Sequence, residues 1–125
     1  MRRHSLDSAL LVRDALPSFA PELERLLAAQ SPELAAQVDG LRIVGRCQCG
    51  QSDCATFDVI SARSSPRDPN YGDSELDCID LEPKSGLIVV DVESGRLRSV
   101  EVLNRPDVKR ELDAVVPQRS VGRAV

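Results

Sequence analysis

The sequence predicts an α+β fold: N-terminal helices, an antiparallel β-meander of about five strands, and a C-terminal helix. Three observations predict it. Residues 1–40 place apolar side chains at helical spacing between prolines. From residue 41 the spacing changes to the period of two that strands require, with turn chemistry between the runs. A final amphipathic stretch opens at Pro106 and stops at Pro117. Helices, then strands, then a helix lack the alternation of a βαβ fold, so the sheet is expected to be antiparallel with helices on one face.

In the first helical stretch, Ser5 is the expected N-cap; Leu6, Leu10, Arg13 and Leu16 follow at helical spacing, and Pro17 ends it. Pro21 suits a first-helical position, and Leu23, Leu26 and Leu27 form an apolar stripe running to Gln30. Ser31 then reads as an N-cap, with Pro32 and Glu33 in the first turn and Gly40 as the stop. These two segments are either two short helices or one bent helix.

The first strand is expected over residues 41–49, with Leu41, Ile43, Gly45, Cys47 and Cys49 on the core face and Arg42, Val44, Arg46 and Gln48 on the other. Residues 54–60 form the second. Residues 61–74 are polar and long for a connection, a composition suited to recognition, and Asp68, Asn70, Tyr71 and Asp73 are its candidate partner-binding residues. A third strand covers 76–81, turn residues fill 82–86, and residues 87–92 are a buried-strand run. Ser94-Gly95 is a two-residue hairpin turn. It sets Glu93 opposite Arg96, Asp91 opposite Arg98, Val89 opposite Val100 and Leu87 opposite Val102, each pair contributing about 0.2–1 kcal/mol. Asn104 or Arg105 caps the last helix, whose apolar stripe is Val108, Leu112, Val115 and Val116. Residues 1–117 are expected to form a single domain, and 118–125 a flexible tail.

Composition narrows the function. Of 125 residues, 42% are apolar and 29% charged, the balance of a globular chain with a core. The net charge is −4, and Phe19, Phe57 and Tyr71 are the only aromatic residues. Neither a basic footprint nor stacking platforms for nucleic acid are therefore expected. The longest apolar run, 87–90, is far too short to span a bilayer. Arg2 and Arg3 resemble the start of a signal peptide, but Asp7, Arg13 and Asp14 interrupt the apolar region that should follow. The expected location is the cytoplasm, where thiols stay reduced.

Three of the four cysteines fall in one pattern, C-x-C-G-x-x-x-C, at Cys47, Cys49 and Cys54. In a reducing compartment such a cluster reads as buried structural thiols or as metal ligands. Zinc takes four N or S donors in a tetrahedron; the C-x-C spacing is shorter than the usual C-x2-C knuckle, and the fourth donor falls to Asp53 or to a group from outside. A Cys49–Cys54 disulfide and a redox thiol are further readings. Strand parity opposes clustering. The register that places Ala55, Phe57 and Val59 with Leu41 and Ile43 turns Cys54 away from Cys47 and Cys49, unless the chain bulges near Gly50. Cys78 is expected opposite Val90, buried near Ile88 and Val92.

Other constellations are missing. No phosphate-binding glycine loop, H-E-x-x-H or G-x-S-x-G occurs, and the sole histidine, His4, stands near the start. Asp73, Glu75, Asp77, Asp80 and Glu82 gather around the third strand, where charge protects an edge from aggregation.

The stretch from "LAAQVDGLRIVGRCQCGQSDCATF" through "YG" and "GLIVVDVESGRL" to "VEVLNRPDV" resembles a group of small bacterial proteins of no established activity. They share the C-x-C-G-x-x-x-C-x-T-F segment, here Cys47, Cys49, Gly50, Cys54, Thr56 and Phe57, and a V-V-D-V hairpin. The resemblance implies a bacterial cytoplasmic α+β domain, and it leaves Cys78 outside the motif. The function expected from the sequence is therefore non-enzymatic binding, to a protein partner, of the immunity or adaptor type. The alternatives are a zinc-binding protein built on Cys47, Cys49 and Cys54, and a thiol-redox protein.

Overall fold

A computed structural model describes residues 10–49, 51–61 and 76–116. Chain order is β1 (Leu10–Leu11), α1 (Val12–Ala15), α2 (Phe19–Ala28), α3 (Pro32–Gln37), a 3-10 turn (Val38–Gly40), β2 (Leu41–Arg46), β3 (Phe57–Ser61), β4 (Leu76–Asp80), β5 (Leu87–Glu93), β6 (Arg96–Leu103) and α4 (Pro106–Val115). The α+β class is as the sequence predicts, with six antiparallel strands rather than about five.

The extra strand comes from the first predicted helix. Leu10 and Leu11 pair with Ile43 and Arg42, and helical geometry begins only at Val12. An open edge of β2 offers backbone partners that helical spacing in the sequence does not reveal. The expected cap Ser5 lies outside the described residues, as do the tail 118–125 and the partner-binding candidates Asp68, Asn70, Tyr71 and Asp73. α2 begins at Phe19, two residues before the expected start at Pro21. A first-turn N–H has no helical partner, so proline is accommodated there. α2 and α3 are separate helices: the Ser31 hydroxyl accepts the Leu34 N–H at 3.4 Å and Pro32 opens α3, as the cap signal predicts.

Strand order is β1-β2-β3-β6-β5-β4. It is not a simple meander: β3 pairs with β6, and the β4-β5-β6 meander folds back to place β4 at the far edge. The helices share one face. Phe19, Leu23 and Leu27 of α2, Leu34 of α3, and Val108 and Leu112 of α4 join Leu41, Phe57, Ile88, Val90, Val100 and Val102 in a single core. Phe19 meets Phe57 edge-to-face, with ring centroids 6.4 Å apart. The Gln37 side chain ties α3 to the hairpin, donating to the Gly95 carbonyl (2.8 Å) and accepting the Leu97 N–H (2.9 Å).

Register departs from the sequence reading in two places on this side of the sheet. The Ser94-Gly95 turn is as predicted, with φ of 53° and 82° at its two residues. Glu93 faces Arg96 and Val92 faces Leu97, but then Asp91 faces Ser99, so Arg98 is an extra residue in β6. Val90, not Val89, faces Val100, and Ile88, not Leu87, faces Val102. Arg98 pairs with Glu93 instead of Asp91. β4 slips by one residue in the same way: Ile79 faces Val90 and Cys78 faces Asp91. Cys78 is therefore exposed, not buried, and its thiol donates to Asp91 Oδ1 at 3.1 Å.

Arg105 locks the helices to the sheet. Its guanidinium donates to both Glu22 oxygens (2.9 and 2.7 Å), both Asp107 oxygens (3.0 Å each) and the Ser85 carbonyl (3.3 Å). Its stem lies across Gly86, where an added Cβ would stand 2.5 Å from Arg105 Cγ and where φ is +76°. Glu22→Ala should lower stability by about 2–3 kcal/mol in urea denaturation, because it strips a buried guanidinium of its bidentate partner. The Arg105 guanidinium also holds the Asp107 carboxyl below the usual carboxylate range. A folded-state value below the unfolded one makes ionised Asp107 favour folding above about pH 4, and this contribution fades as the pH falls through the folded value. Denaturation midpoints should therefore fall between pH 5 and pH 3, with a shallower slope in Asp107→Asn.

Candidate metal centre

The site begins with a bulge. Ile43 faces Val59, but Gly45 faces Asp58 and Arg46 faces Phe57, so Val44 is an extra residue in β2. Before the bulge, Leu41 and Ile43 point into the core; after it the parity inverts, and Arg46 is the inward residue. The chain keeps this new register past the end of β2, where the Cys47 N–H donates to the Thr56 carbonyl at 2.9 Å. Cys47 and Cys49 thus leave the core face.

Cys54 is fixed separately, by β6. It bridges to Leu103, and the adjacent Ala55 N–H donates to the Val102 carbonyl at 2.9 Å. The Val102 N–H in turn donates to the Thr56 hydroxyl (3.1 Å), and the Asn104 N–H to the Asp53 carbonyl (3.0 Å). A tight turn, closed by the Cys54 N–H on the Gln51 carbonyl (3.3 Å), connects it back towards Cys49.

These two anchors bring the sulfurs of Cys47, Cys49 and Cys54 within 4.8 Å of one another. The parity argument from the sequence, which turns Cys54 away, is corrected: the core register and the cluster coexist because the chain bulges at Val44. The sequence places that device near Gly50, which lies outside the described residues. Sulfurs bound at 2.3 Å around a tetrahedral ion are about 3.8 Å apart, so closure onto an ion requires shifts of about 1 Å or less. The three thiols could hold a metal ion.

Their surroundings are graded. Cys54 is buried, Cys47 half-buried and Cys49 exposed. Backbone N–H groups point at two of the sulfurs. The Gln51 N–H reaches Cys49 Sγ at 3.5 Å and, helped by the Cys54 thiol, lowers the Cys49 thiol from its ordinary value. The Cys49 N–H likewise favours the Cys47 thiolate, but burial and the two neighbouring thiols together outweigh it and push Cys47 up. A metal ion is bound by thiolates, so its binding at such a cluster would release the thiol protons.

Among the described residues, Asp53 does not join the cluster. Cys78 sits on β4, at the opposite edge from β1, engaged with Asp91. His4, Asp68, Asn70, Tyr71 and Asp73 lie outside the described residues.

One residue of the site escapes the sequence reading. Arg46, assigned by alternation to the polar face, has a fully buried side chain. Its Nη1 donates to Asp113 Oδ1 (2.5 Å) and to the Val116 carbonyl (2.6 Å), and Nη2 to the Cys54 carbonyl (3.4 Å). The guanidinium thus joins the turn that holds Cys54 to the negative end of α4. Burial disfavours ionised Asp113, but Lys109 and Arg46 outweigh it and hold its carboxyl below the usual range. The only available signal was the failure of Phe57 and Val59 to share a face with both Ile43 and the cysteines, which demands a bulge without locating it.

No protein-family model matches the chain, and no curated protein or solved structure is significantly similar to it. Among the described residues no helix is long and apolar enough to cross a membrane.

Asp113→Ala leaves Arg46 buried without its carboxylate. We expect a loss of about 1–2 kcal/mol in urea denaturation, moderated because Asp113 is 40% exposed.

Proposed function

We propose that the protein is a zinc-binding domain whose ion is held by the thiolates of Cys47, Cys49 and Cys54. The observation that supports this reading is the convergence of three sulfurs from two independently anchored segments to within 4.8 Å. Thiolates select zinc, monovalent copper or iron–sulfur clusters. Zinc imposes no electronic demand on geometry, which suits a trio of unequal burial. Three donors would leave one tetrahedral position for water or for a donor from elsewhere, and of the three cysteines Cys49 is the exposed one.

Protein purified without chelator should carry close to one equivalent of zinc by elemental analysis; less than about a tenth would rule the reading out, since structural zinc is held tightly. Serine at Cys47, Cys49 or Cys54 should weaken binding by more than the roughly 10–100-fold that loss of an outer-shell partner costs. Cys78→Ser should leave it unchanged.

A second reading, a non-enzymatic domain that binds a protein partner as immunity or adaptor proteins do, draws support from β4. Among the described residues this strand pairs on one side only, with β5, and it exposes Leu76 (63%), Asp77 and Asp80, an apolar and an acidic contact beside a sheet edge. The same carboxylates guard the edge against self-association when no partner is present. Charge reversal at Asp77 and Asp80, assayed by pull-down from the native cell, should abolish capture of a basic partner; unchanged capture would reject the edge as the contact.

A further inference from the structure

The thiol cluster can support a chemistry that needs no ion. A disulfide requires sulfurs about 2.05 Å apart on Cα atoms about 4.4–6.8 Å apart. Within the trio, the three pairings are not equivalent. Cys47 and Cys49 lie two residues apart on one segment, so a bond between them would close a strained ring of only three residues. Cys49 and Cys54 stand on opposite arms of the turn. The pairing of Arg46 with Phe57, continued by Cys47 on Thr56, carries Cys49 towards a position opposite Cys54. Cys49 and Cys54 lie just beyond the ends of β2 and β3, and that register extended to them corresponds to Cα atoms about 4.5–5.5 Å apart, within the disulfide range.

Access separates the two members of this pair. Cys49 is exposed, whereas Cys54 is only 4% accessible. An oxidant in solution meets Cys49 first, with a shielded thiol within 4.8 Å to complete the reaction. This arrangement, an accessible sulfur beside a resolving one, is what reversible thiol oxidation needs. Cys78 has no such neighbour. Four strand spacings separate β4 from β2, about 19 Å.

We propose that Cys49 and Cys54 form a peroxide-responsive dithiol–disulfide pair that controls occupancy of the metal site. The Cys49 sulfur attacks one oxygen of hydrogen peroxide and the O–O bond breaks, giving a sulfenic acid and water. The Cys54 sulfur then attacks the Cys49 sulfur; the S–O bond breaks and a second water leaves with the Cys54 proton. Two thiols are oxidised by two electrons, and one peroxide is reduced to two waters. The disulfide leaves Cys47 as the sole remaining thiol of the trio, so the oxidised site cannot hold zinc. The control of occupancy rests on the zinc reading above; the disulfide chemistry does not.

The experiment uses the full chain, reduced and stripped of metal, treated with hydrogen peroxide. Free thiols, peptide linkages by mass spectrometry and zinc uptake are then measured. Two of the four thiols should disappear. A single intramolecular Cys49–Cys54 link should account for them, zinc uptake should fall to background, and dithiothreitol should restore it. Cys78→Ser should behave identically apart from its missing thiol, and Cys49→Ser should form no intramolecular link. Over-oxidation of Cys49 without a link, a link to Cys47, or a link between chains would each overturn the proposal. If the link forms but the reduced protein takes up no zinc, the pair stands and the zinc reading fails. Zinc uptake without a link gives the converse.

Discussion

Val44 occupies a position in β2 that has no counterpart in β3, and both the core and the thiol cluster depend on that one extra residue. Side chains in a strand alternate, so any register that buries Leu41 and Ile43 with Val59 would, unbroken, also aim Cys47 and Cys49 into the core. Inserting one residue reverses the alternation beyond it. Upstream, the strand supplies the core; downstream, it delivers two cysteines to the face where Cys54 is held by its bridge to β6. The cost is Arg46, which the inversion sends inward. A buried guanidinium is costly, and the cost is met in part: Asp113, Val116 and Cys54 give Nη1 and Nη2 acceptors within 3.4 Å, while Nε is buried without a partner among the described residues.

Arg46 has a counterpart in Arg105, and between them they hold α4 at both ends. A helix of ten residues is marginal in isolation, and α4 buries only Val108 and Leu112 fully. Arg105 stands at its N-terminus, where Asp107 in the first turn and Glu22 from α2 offset a cation that would otherwise oppose the helix dipole. Arg46 stands at its C-terminus, where a cation is favourable and the Val116 carbonyl needs a donor. Arg46 thus reaches from the sheet to the C-terminus of α4, and Arg105, the N-cap of α4, ties its other end to Glu22 of α2 and the Ser85 carbonyl, where apolar contacts alone would hold the helix weakly. Through Arg46, α4 is also tied to the carbonyl of a thiol residue.

Much of the fold was legible in the sequence because its signals are local. The Ser31 cap, Pro32, the Ser94-Gly95 turn and Pro106 each act within a few residues, and each stands where the sequence places it. The order of strands was not legible, because pairing β3 with β6 depends on which edges meet after collapse. Leu10 and Leu11 became a strand for the same reason. The bulges at Val44 and Arg98 leave no compositional trace: a single unpaired residue resembles its neighbours, yet it inverts everything beyond it. The slip that exposes Cys78 is the same error of one residue. At the cysteines, sequence spacing identified the right trio and misjudged its geometry, since spacing reports distance along the chain and clustering depends on parity.

The cluster is assembled by the backbone, and this bears on what an ion would do there. None of the three cysteines belongs to the main hydrophobic core. Cys54 is placed by its bridge to Leu103 and by the Ala55 and Asn104 hydrogen bonds, and Cys47 by its bond to Thr56. None of those contacts needs a metal. In small zinc modules the ligands come together only when the ion binds, so binding free energy is folding free energy. Here apolar packing forms the scaffold, and the sulfurs converge as a consequence of register. A bound ion would therefore add to stability in proportion to its own occupancy, by preferring the folded chain, rather than decide whether the chain folds. A site built in this way can lose its ion, or two of its thiols, without losing the fold around it. That independence makes exchange at the exposed Cys49 side compatible with a persistent domain.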